Sequence, residues 1–206
     1  MTSKRLVFAV VAAQLLLLVA CTSATREPPA KEEAPSAPAT QGALVEGSFR
    51  LGRRQGPAPE VSDAPPGTPL AHRQLSQQSP VDMQEALFAR AAALADVVVA
   101  PSGISVPGAR AFWLRPASVR GPRAAFQVGT EFAHIHPAHD GSLHLKFPPG
   151  LAEKVYQQGW GVPHPRSGTP MVFGPRDAAE LEVVWQLLLR SYAWAHDGQA
   201  VDVQVD

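Results

Sequence analysis

The sequence predicts an α+β domain, with a small antiparallel sheet and helices packed on one face, preceded by a signal peptide and a disordered Pro-rich linker. Apolar residues recur at helical spacing in two segments that flank several short β-like runs. Turn-forming Gly, Pro and Asp separate those runs. Between residues 22 and 78 aromatic residues are nearly absent, which indicates that this part does not fold with the domain.

Composition narrows the classes of function. The chain has 206 residues and a formal net charge of zero, which suits one domain of modest size with an additional segment. Without a basic excess there is no electrostatic footprint for nucleic acid, so we predict no nucleic-acid partner. Cys21 is the single cysteine, and a disulfide within the chain is therefore excluded.

Residues 1–20 are predicted to be a lipoprotein signal peptide. A charged start precedes an uncharged apolar run at 6–19, which is too short to span a bilayer comfortably. The run ends in Leu18-Val19-Ala20-Cys21, which resembles the bacterial lipobox. That resemblance implies that Cys21 carries acyl chains such as palmitate, which together anchor a protein stably in a membrane. We therefore expect a lipid-anchored protein of the bacterial envelope, and Thr22 after the cysteine favours the outer membrane.

Residues 21–78 are predicted to be the lipidated cysteine and a flexible tether, because Pro, Gln and Ser recur and no apolar period persists. The folded domain is predicted at 79–198. Ser79 is expected to cap its first helix, and Pro80 suits the first turn. Residues 199–206 are predicted to form a tail or an edge strand.

The elements of the domain follow from local patterns. The first helix is predicted from an apolar stripe at helical spacing, formed by Met83, Leu87, Ala91, Leu94 and Val98. The later elements are, in order, β-like runs at 109–114 and 124–128, a hairpin at 131–147, a helix at 151–158, an irregular loop at 159–165, a strand at 171–173 and a long helix from Asp177 to Gly198.

The hairpin at 131–147 contains four of the seven histidines. Side chains alternate along a strand, so Phe132, His134 and His136 are predicted to share one face, and the intervening aliphatic residues the other. A loop at 137–141, rich in turn formers, sets His134 opposite His144. A slip of one residue would mix the two faces, so the apolar pattern itself selects this register.

This imidazole face has three interpretations. The first is a facial metal triad, for which alternating histidines on one strand and another across from them are suited. The second is metal-free acid–base chemistry by a neutral imidazole. The third is a solvated polar face with no function. The triad candidates are His134, His136 and His144, and those that can complete it are His164, His139, Asp140 and Glu131.

Four further residues are candidates for a substrate site. His164 follows Gly159-Trp160-Gly161, where Trp160 can stack on a flat substrate or simply belong to the core. Arg176 precedes a helix N-terminus and can hold a carboxylate or enolate, or pair with a neighbouring acid. Lys146 shares the histidine face and can serve as a second partner for an anion.

These linked motifs resemble the luciferase-domain family, over roughly residues 80–197. The residues that carry the resemblance are Glu131, His134, His136, His139-Asp140, Leu143-His144-Leu145, Gly159-Trp160-Gly161, His164-Pro165 and Pro175-Arg176. The family implies an oxygen-dependent, cofactor-independent attack on a polyphenolic pyrone, with loss of CO2 and emission of light. Carried over, the histidine face deprotonates an enol and Arg176 or Lys146 holds the anion. We do not expect light, because nothing in the sequence indicates the pyrone.

The sequence thus supports an enzyme of oxygenase or decarboxylase type, acting on a small enolic or aromatic compound at the envelope. The alternative is a non-catalytic lipoprotein that binds a small ligand or a metal. No cofactor is required in the enzyme hypothesis, although Zn or Fe is possible at His134, His136 and His144. The catalytic candidates are His134, His136, His144, His164 and Arg176, and the substrate-binding candidates are Trp160, Lys146, Glu131, His139 and Asp140.

Overall fold

The computed structural model describes residues 49–62 and 72–205. In these ranges three α-helices and a six-stranded antiparallel sheet confirm the predicted α+β class. The helices are α1 Val81–Ala92, α2 Leu151–Gln157 and α3 Ala178–Asp197. The strands are β1 Arg50–Leu51, β2 Val97–Pro101, β3 Arg110–Leu114, β4 Glu131–Ile135, β5 Leu143–Leu145, β6 Gly161–Pro163, β7 Pro170–Val172 and β8 Gln204–Val205. No helix among these described residues is long and apolar enough to cross a membrane.

The large sheet has the strand order β2-β3-β4-β5-β7-β6, and every neighbouring pair is antiparallel. Its centre is the predicted hairpin, in the predicted register. Ala133 pairs with Leu145, His134 with His144, and Ile135 with Leu143. The apolar alternation did select the register, because a shift of one residue would have turned imidazoles into the core.

The hydrophobic core lies on one face of this sheet. It contains the inward residues of β4 and β5 together with residues of α1 and α3, such as Leu87 and Leu188. Side chains alternate along a strand, so the imidazoles of β4 and β5 project from the face of the sheet that the helices do not cover. The sheet therefore separates the apolar core from the polar face predicted for the site.

A β-bulge in β4 corrects the prediction for Phe132. The register between β3 and β4 shifts between Phe112 and Trp113, which pair with Ala133 and Glu131. Phe132 is thus the extra residue, and its ring packs in the core instead of sharing the histidine face. An extra residue re-aims neighbouring side chains, an effect that alternation alone does not reveal.

The predicted extent of the tether is also wrong where the structure can test it. Residues 49–62 and 72–78, which we call the strap, pack against the domain that was predicted to begin at 79. Leu51 is fully buried in the core, and β1 pairs in parallel with β8, so residues 204–205 form an edge strand. Contacts between residues about 150 positions apart, such as the pairing of β1 with β8, leave no periodic pattern in the local sequence. The predicted signal peptide, Cys21 and residues 22–48 and 63–71 lie outside the described residues.

Some local predictions failed for similar reasons. Ser79 does not cap α1; its hydroxyl donates to the carbonyl of Pro175 at 2.5 Å. Val98 lies on β2, because the helix ends at Ala92. Residues 123–125 form a 3₁₀ turn where a β run was predicted. The predicted start of α3 is confirmed, since the Asp177 carboxylate accepts from the N–H of Glu180 at 2.9 Å.

Candidate functional site

Three histidines converge on the polar face of the hairpin. One ring nitrogen each of His134, His136 and His144 lies within 4.8 Å of the others, and all three side chains are buried. The ring centroids are 5.2–5.5 Å apart. The register explains this proximity, because His134 and His144 are direct cross-strand partners and His136 is two residues further along β4's direction.

A buried carboxylate fixes the first imidazole. Glu131 lies 2.7 Å from Nδ1 of His134 and also accepts from the Ser102 hydroxyl at 2.8 Å and the Gly103 N–H at 2.9 Å. Because a carboxylate accepts, Nδ1 of His134 carries the proton and Nε2 carries the lone pair. The β4 bulge makes this contact possible, since residues 131 and 134 would otherwise point to opposite faces.

A second carboxylate fixes His136. Its Nδ1 lies 2.8 Å from Oδ2 of Asp140 and 3.1 Å from the hydroxyl of Ser142. Oδ1 of Asp140 accepts from the Ser142 hydroxyl and N–H, and from the Gln74 N–H of the strap. Burial alone would raise the pKa of Asp140, but the bonds from His136 and Ser142 outweigh it and hold the pKa below its usual value.

The third imidazole is held by a backbone carbonyl. Nδ1 of His144 lies 3.1 Å from the carbonyl oxygen of Pro170 at the start of β7. All three Nδ1 atoms are therefore engaged as donors, and Nε2 is the nitrogen of each ring that is left for a ligand. Nε2 of His134 is buried without a hydrogen-bond partner in the described part of the chain. A buried ring nitrogen without a protein partner is costly unless a ligand binds it.

The site favours neutral imidazoles. Burial lowers the pKa of His134, against the opposing hydrogen bond with Glu131. Burial also lowers the pKa of His144 strongly, and the neighbouring His134 and His136 add to this effect. Neutral imidazoles with their lone pairs directed to one point are suited to bind a metal ion. The triad can therefore hold a metal.

The three histidines line a cavity of about 650 Å³. Lys146 and His164 line this cavity with the triad, as the sequence predicted. Burial lowers the pKa of Lys146. Its other wall is apolar and belongs to the β2–β3 loop, with Ile104, Val106 and Pro107. The cavity volume and its mixed lining suit a small organic molecule.

The remaining sequence candidates do not line the cavity. Trp160 is buried in the core, where its indole N–H donates to the Gly52 carbonyl at 2.7 Å. Arg176 pairs with Glu180 at the start of α3, so an ion pair occupies the guanidinium that was predicted to hold an anion. His139 is exposed at the hairpin loop, because the turn carries it away from the sheet. Glu131 and Asp140 position histidines and were predicted to bind substrate.

His72 is the residue that the sequence did not reveal. It belongs to the strap, is buried, and lines the cavity with its ring centroid 5.7 Å from that of His144 and 5.2 Å from that of His164. Burial lowers its pKa to about 4. A lone histidine in a Pro- and Ser-rich stretch carries no pattern, so only the long-range packing of the strap could have shown it.

Comparison with known proteins agrees with the resemblance seen in the motifs. The model of the luciferase domain matches residues 129–191. Luciferases of Armillaria gallica and Armillaria mellea are each 32% identical over 73 residues, covering 31% of this chain and 27% of their own length. The luciferase of Armillaria ostoyae is 31% identical over 84 residues, which are 36% of this chain and 32% of its own length.

No solved structure matches the chain. The chain spans about a third or less of the length of these curated relatives. The matched segment nevertheless contains the whole histidine hairpin, the Lys146 and His164 positions and most of α3, whereas the strap with His72 lies outside it. Residues 129–191 of this chain are thus similar to the luciferase domain.

Proposed function

We propose that this protein is an enzyme that acts on a small enolic or aromatic compound in the histidine-lined cavity, in a reaction of oxygenase or decarboxylase type, with a metal ion held by His134, His136 and His144. The observation that carries the proposal is the convergence of one ring nitrogen each of His134, His136 and His144 within 4.8 Å of one another. The Nδ1 atoms are held by two carboxylates and a carbonyl, which leaves the Nε2 atoms for a ligand.

The donor set fits a metal ion. A buried three-histidine site with its Nδ1 atoms on two carboxylates and a carbonyl is the arrangement that zinc and non-haem metal sites use to fix tautomer and ring orientation. The orphaned Nε2 of His134 also supports it. A metal ion bound there would lower the pKa of an enolic hydroxyl or water that it holds.

The chain's own residues supply the rest. The apolar loop that carries Val106 lines the cavity, and Lys146 adds an ammonium group to the lining. An enol that gives its proton to a neutral imidazole of the cavity lining, such as His72, becomes an anion that Lys146 can stabilise. The likeness to luciferases adds dioxygen as the co-reactant, which this proposal adopts for the oxygenase form of the reaction.

The test begins with metal content. Untagged protein, dialysed against Zn2+, Fe2+ or Cu2+, is analysed by mass spectrometry of its metals, alongside His134→Ala and His144→Ala. His139→Ala is the matched control, because this exposed histidine belongs to the same hairpin. We expect about one ion per chain in the wild type and the control, and at least roughly tenfold weaker binding in the two triad variants.

Turnover is then measured as oxygen consumption or CO2 release, with pyrones and polyphenols as substrates. Metal uptake without turnover of any enolic compound would favour the alternative, a non-catalytic lipoprotein that binds a metal or a small ligand. If the wild type takes up none of the three metals, or if the triad variants bind as tightly as the control, the metal part of the proposal is rejected.

In this proposal acyl chains on Cys21 hold the domain at the bacterial envelope, at the outer membrane. The support is the lipobox-like sequence alone. Labelling with a palmitate analogue should modify the wild type and leave Cys21→Ser unlabelled. Label in both proteins, or in neither, contradicts the anchor without affecting the proposed chemistry.

A further inference from the structure

Two more imidazoles and one ammonium group line the cavity beside the triad: His72, His164 and Lys146. They come from three separate parts of the chain, which are the strap, the β6–β7 loop and the end of the hairpin. No carboxylate residue is among the described residues that line the cavity. Lys146 is therefore the charged group of the lining itself, and Glu131 and Asp140 lie behind the triad, hydrogen-bonded to His134 and His136.

His164 differs from the triad in its tautomer. Its Nδ1 accepts two backbone hydrogen bonds, from the N–H groups of Arg166 and Ser167, each at 3.2 Å. Two donors directed at one nitrogen exclude a proton there, so Nε2 carries it. The triad thus offers lone pairs to the cavity, whereas His164 has an N–H to donate. An N–H group cannot bind a metal, but it can hold an oxyanion.

His72 supplies a buried polar atom that lacks a partner. Its side chain is 4% exposed, and its Nδ1 makes no hydrogen bond to any residue in the described ranges. The ring meets that of His164 edge-on, with the centroids 5.2 Å apart. Burying such a nitrogen without a partner is unfavourable, so a ligand in this part of the cavity would remove the cost.

Lys146 completes the group. It follows β5 and lies on the same face as His144, two residues before it in the chain. None of the described carboxylates forms an ion pair with its ammonium group, although five other cationic side chains of the domain have one. A half-buried ammonium without a described carboxylate partner, in the lining of the same cavity as these two imidazoles, attracts a carboxylate or an enolate.

We propose that Lys146, His164 and His72 form an oxyanion subsite, which binds the carboxylate or enolate oxygen of an organic anion whose apolar body lies against Ile104 and Val106. The subsite rests on the proposed function for its role next to the triad, because it places the anionic end of the substrate beside the three Nε2 atoms. Binding of the anion itself requires no metal.

The probes are benzoate and cinnamate, with benzamide and cinnamamide as neutral molecules of matched shape. Binding to the full chain is measured by calorimetry, once with Zn2+ and once with a chelator. We expect the two carboxylates to bind in both conditions and the amides to bind at least about tenfold more weakly. Acetate, which lacks the apolar body, should bind more weakly than benzoate.

Three variants locate the anion. Lys146→Met keeps the length of the side chain, His164→Phe keeps a ring without the N–H, and His72→Phe does the same in the strap. Each should weaken the binding of benzoate at least about fivefold and leave the binding of benzamide unchanged, while His139→Ala changes neither affinity. Metal content should stay at the wild-type value in Lys146→Met, since this side chain is not in the triad.

The two proposals can fail separately. Binding of benzoate that depends on Lys146 and His164 but persists in chelator, in a protein that takes up no metal, upholds the subsite and rejects the metal. If benzoate and benzamide bind alike, if neither carboxylate binds, or if the three variants bind benzoate as the wild type does, the subsite is overturned, whatever the metal content.

Discussion

The β4–β5 hairpin and the strap both bring histidines to one cavity, by different physical means. In the hairpin, His134 and His144 are direct partners in a ladder whose register follows from the alternation of apolar residues. In the strap, His72 arrives through contacts with distant residues, such as the bond from the N–H of Gln74 to Asp140. The comparison teaches that the triad is built locally, whereas its surroundings depend on the closure of long loops.

The strap gives the largest expected effect. Leu51→Ala should lower the free energy of unfolding by about 2–5 kcal/mol, because it leaves a cavity in the core where Leu51 is fully buried. Leu75→Ala is the matched control in the same strap, since this residue is 46% exposed, and it should cost less than about 0.5 kcal/mol. Urea denaturation measures both. If Leu51→Ala lowers the free energy of unfolding as little as Leu75→Ala does, the strap does not pack in the core and is a tether.

The second prediction concerns Glu131, the carboxylate that holds His134. Glu131→Gln should weaken metal binding roughly 10–100-fold, because an amide cannot accept all three of the bonds that the carboxylate accepts from His134, Ser102 and Gly103. Glu85→Gln, which alters an exposed ion pair with Arg110, is the control and should leave the metal affinity unchanged. Competition with a chromogenic chelator measures it, and an unaltered affinity in Glu131→Gln would deny this carboxylate its positioning role.

The hairpin loop is the third test. Gly141 has φ +72°, and a Cβ there would lie 2.6 Å from Nε2 of Gln84. Gly150 has φ +84° with nothing within 4 Å of an added Cβ. Alanine at either position is strained by its backbone, and at 141 it also clashes. Thermal unfolding should show Gly141→Ala to be about 1–2 kcal/mol less stable than Gly150→Ala, and the reverse order would contradict the packing described.

The smallest effect is a pH dependence that His72 adds. Its pKa is lowered to about 4 by burial, so between the unfolded value near 6.5 and the folded value the unfolded chain binds more protons. The free energy of unfolding must then fall as the pH falls through this window. In metal-free protein the fall between about pH 7 and 5 should be roughly 1 kcal/mol smaller in His72→Gln than in the wild type. Parallel pH profiles would contradict the burial of a neutral His72.

Much of the candidate site could be predicted where the signal is periodic. Alternation in 131–147 gave the strand faces and the pairing of His134 with His144, and motif likeness added His164. For Arg176 and Trp160 the structure agrees with the alternatives of an ion pair and a core position. Their local signals, a helix start and a Gly-Trp-Gly turn, do not show which side of the domain they occupy. Phe132 was misplaced because a bulge adds one residue to a strand without changing the residue pattern.

The sequence by itself determined the α+β class, the register of the hairpin and the identity of the triad, since each depends on neighbours within about twenty residues and on the free energy of burying apolar side chains. Only the tertiary structure decided which ring nitrogens face the cavity, that Glu131 reaches His134, and that His72 joins the site. The contact of Glu131 with His134 depends on a bulge in the pairing of β4 with β3, and His72 arrives by packing of the distant strap. Neither feature has a period in the sequence.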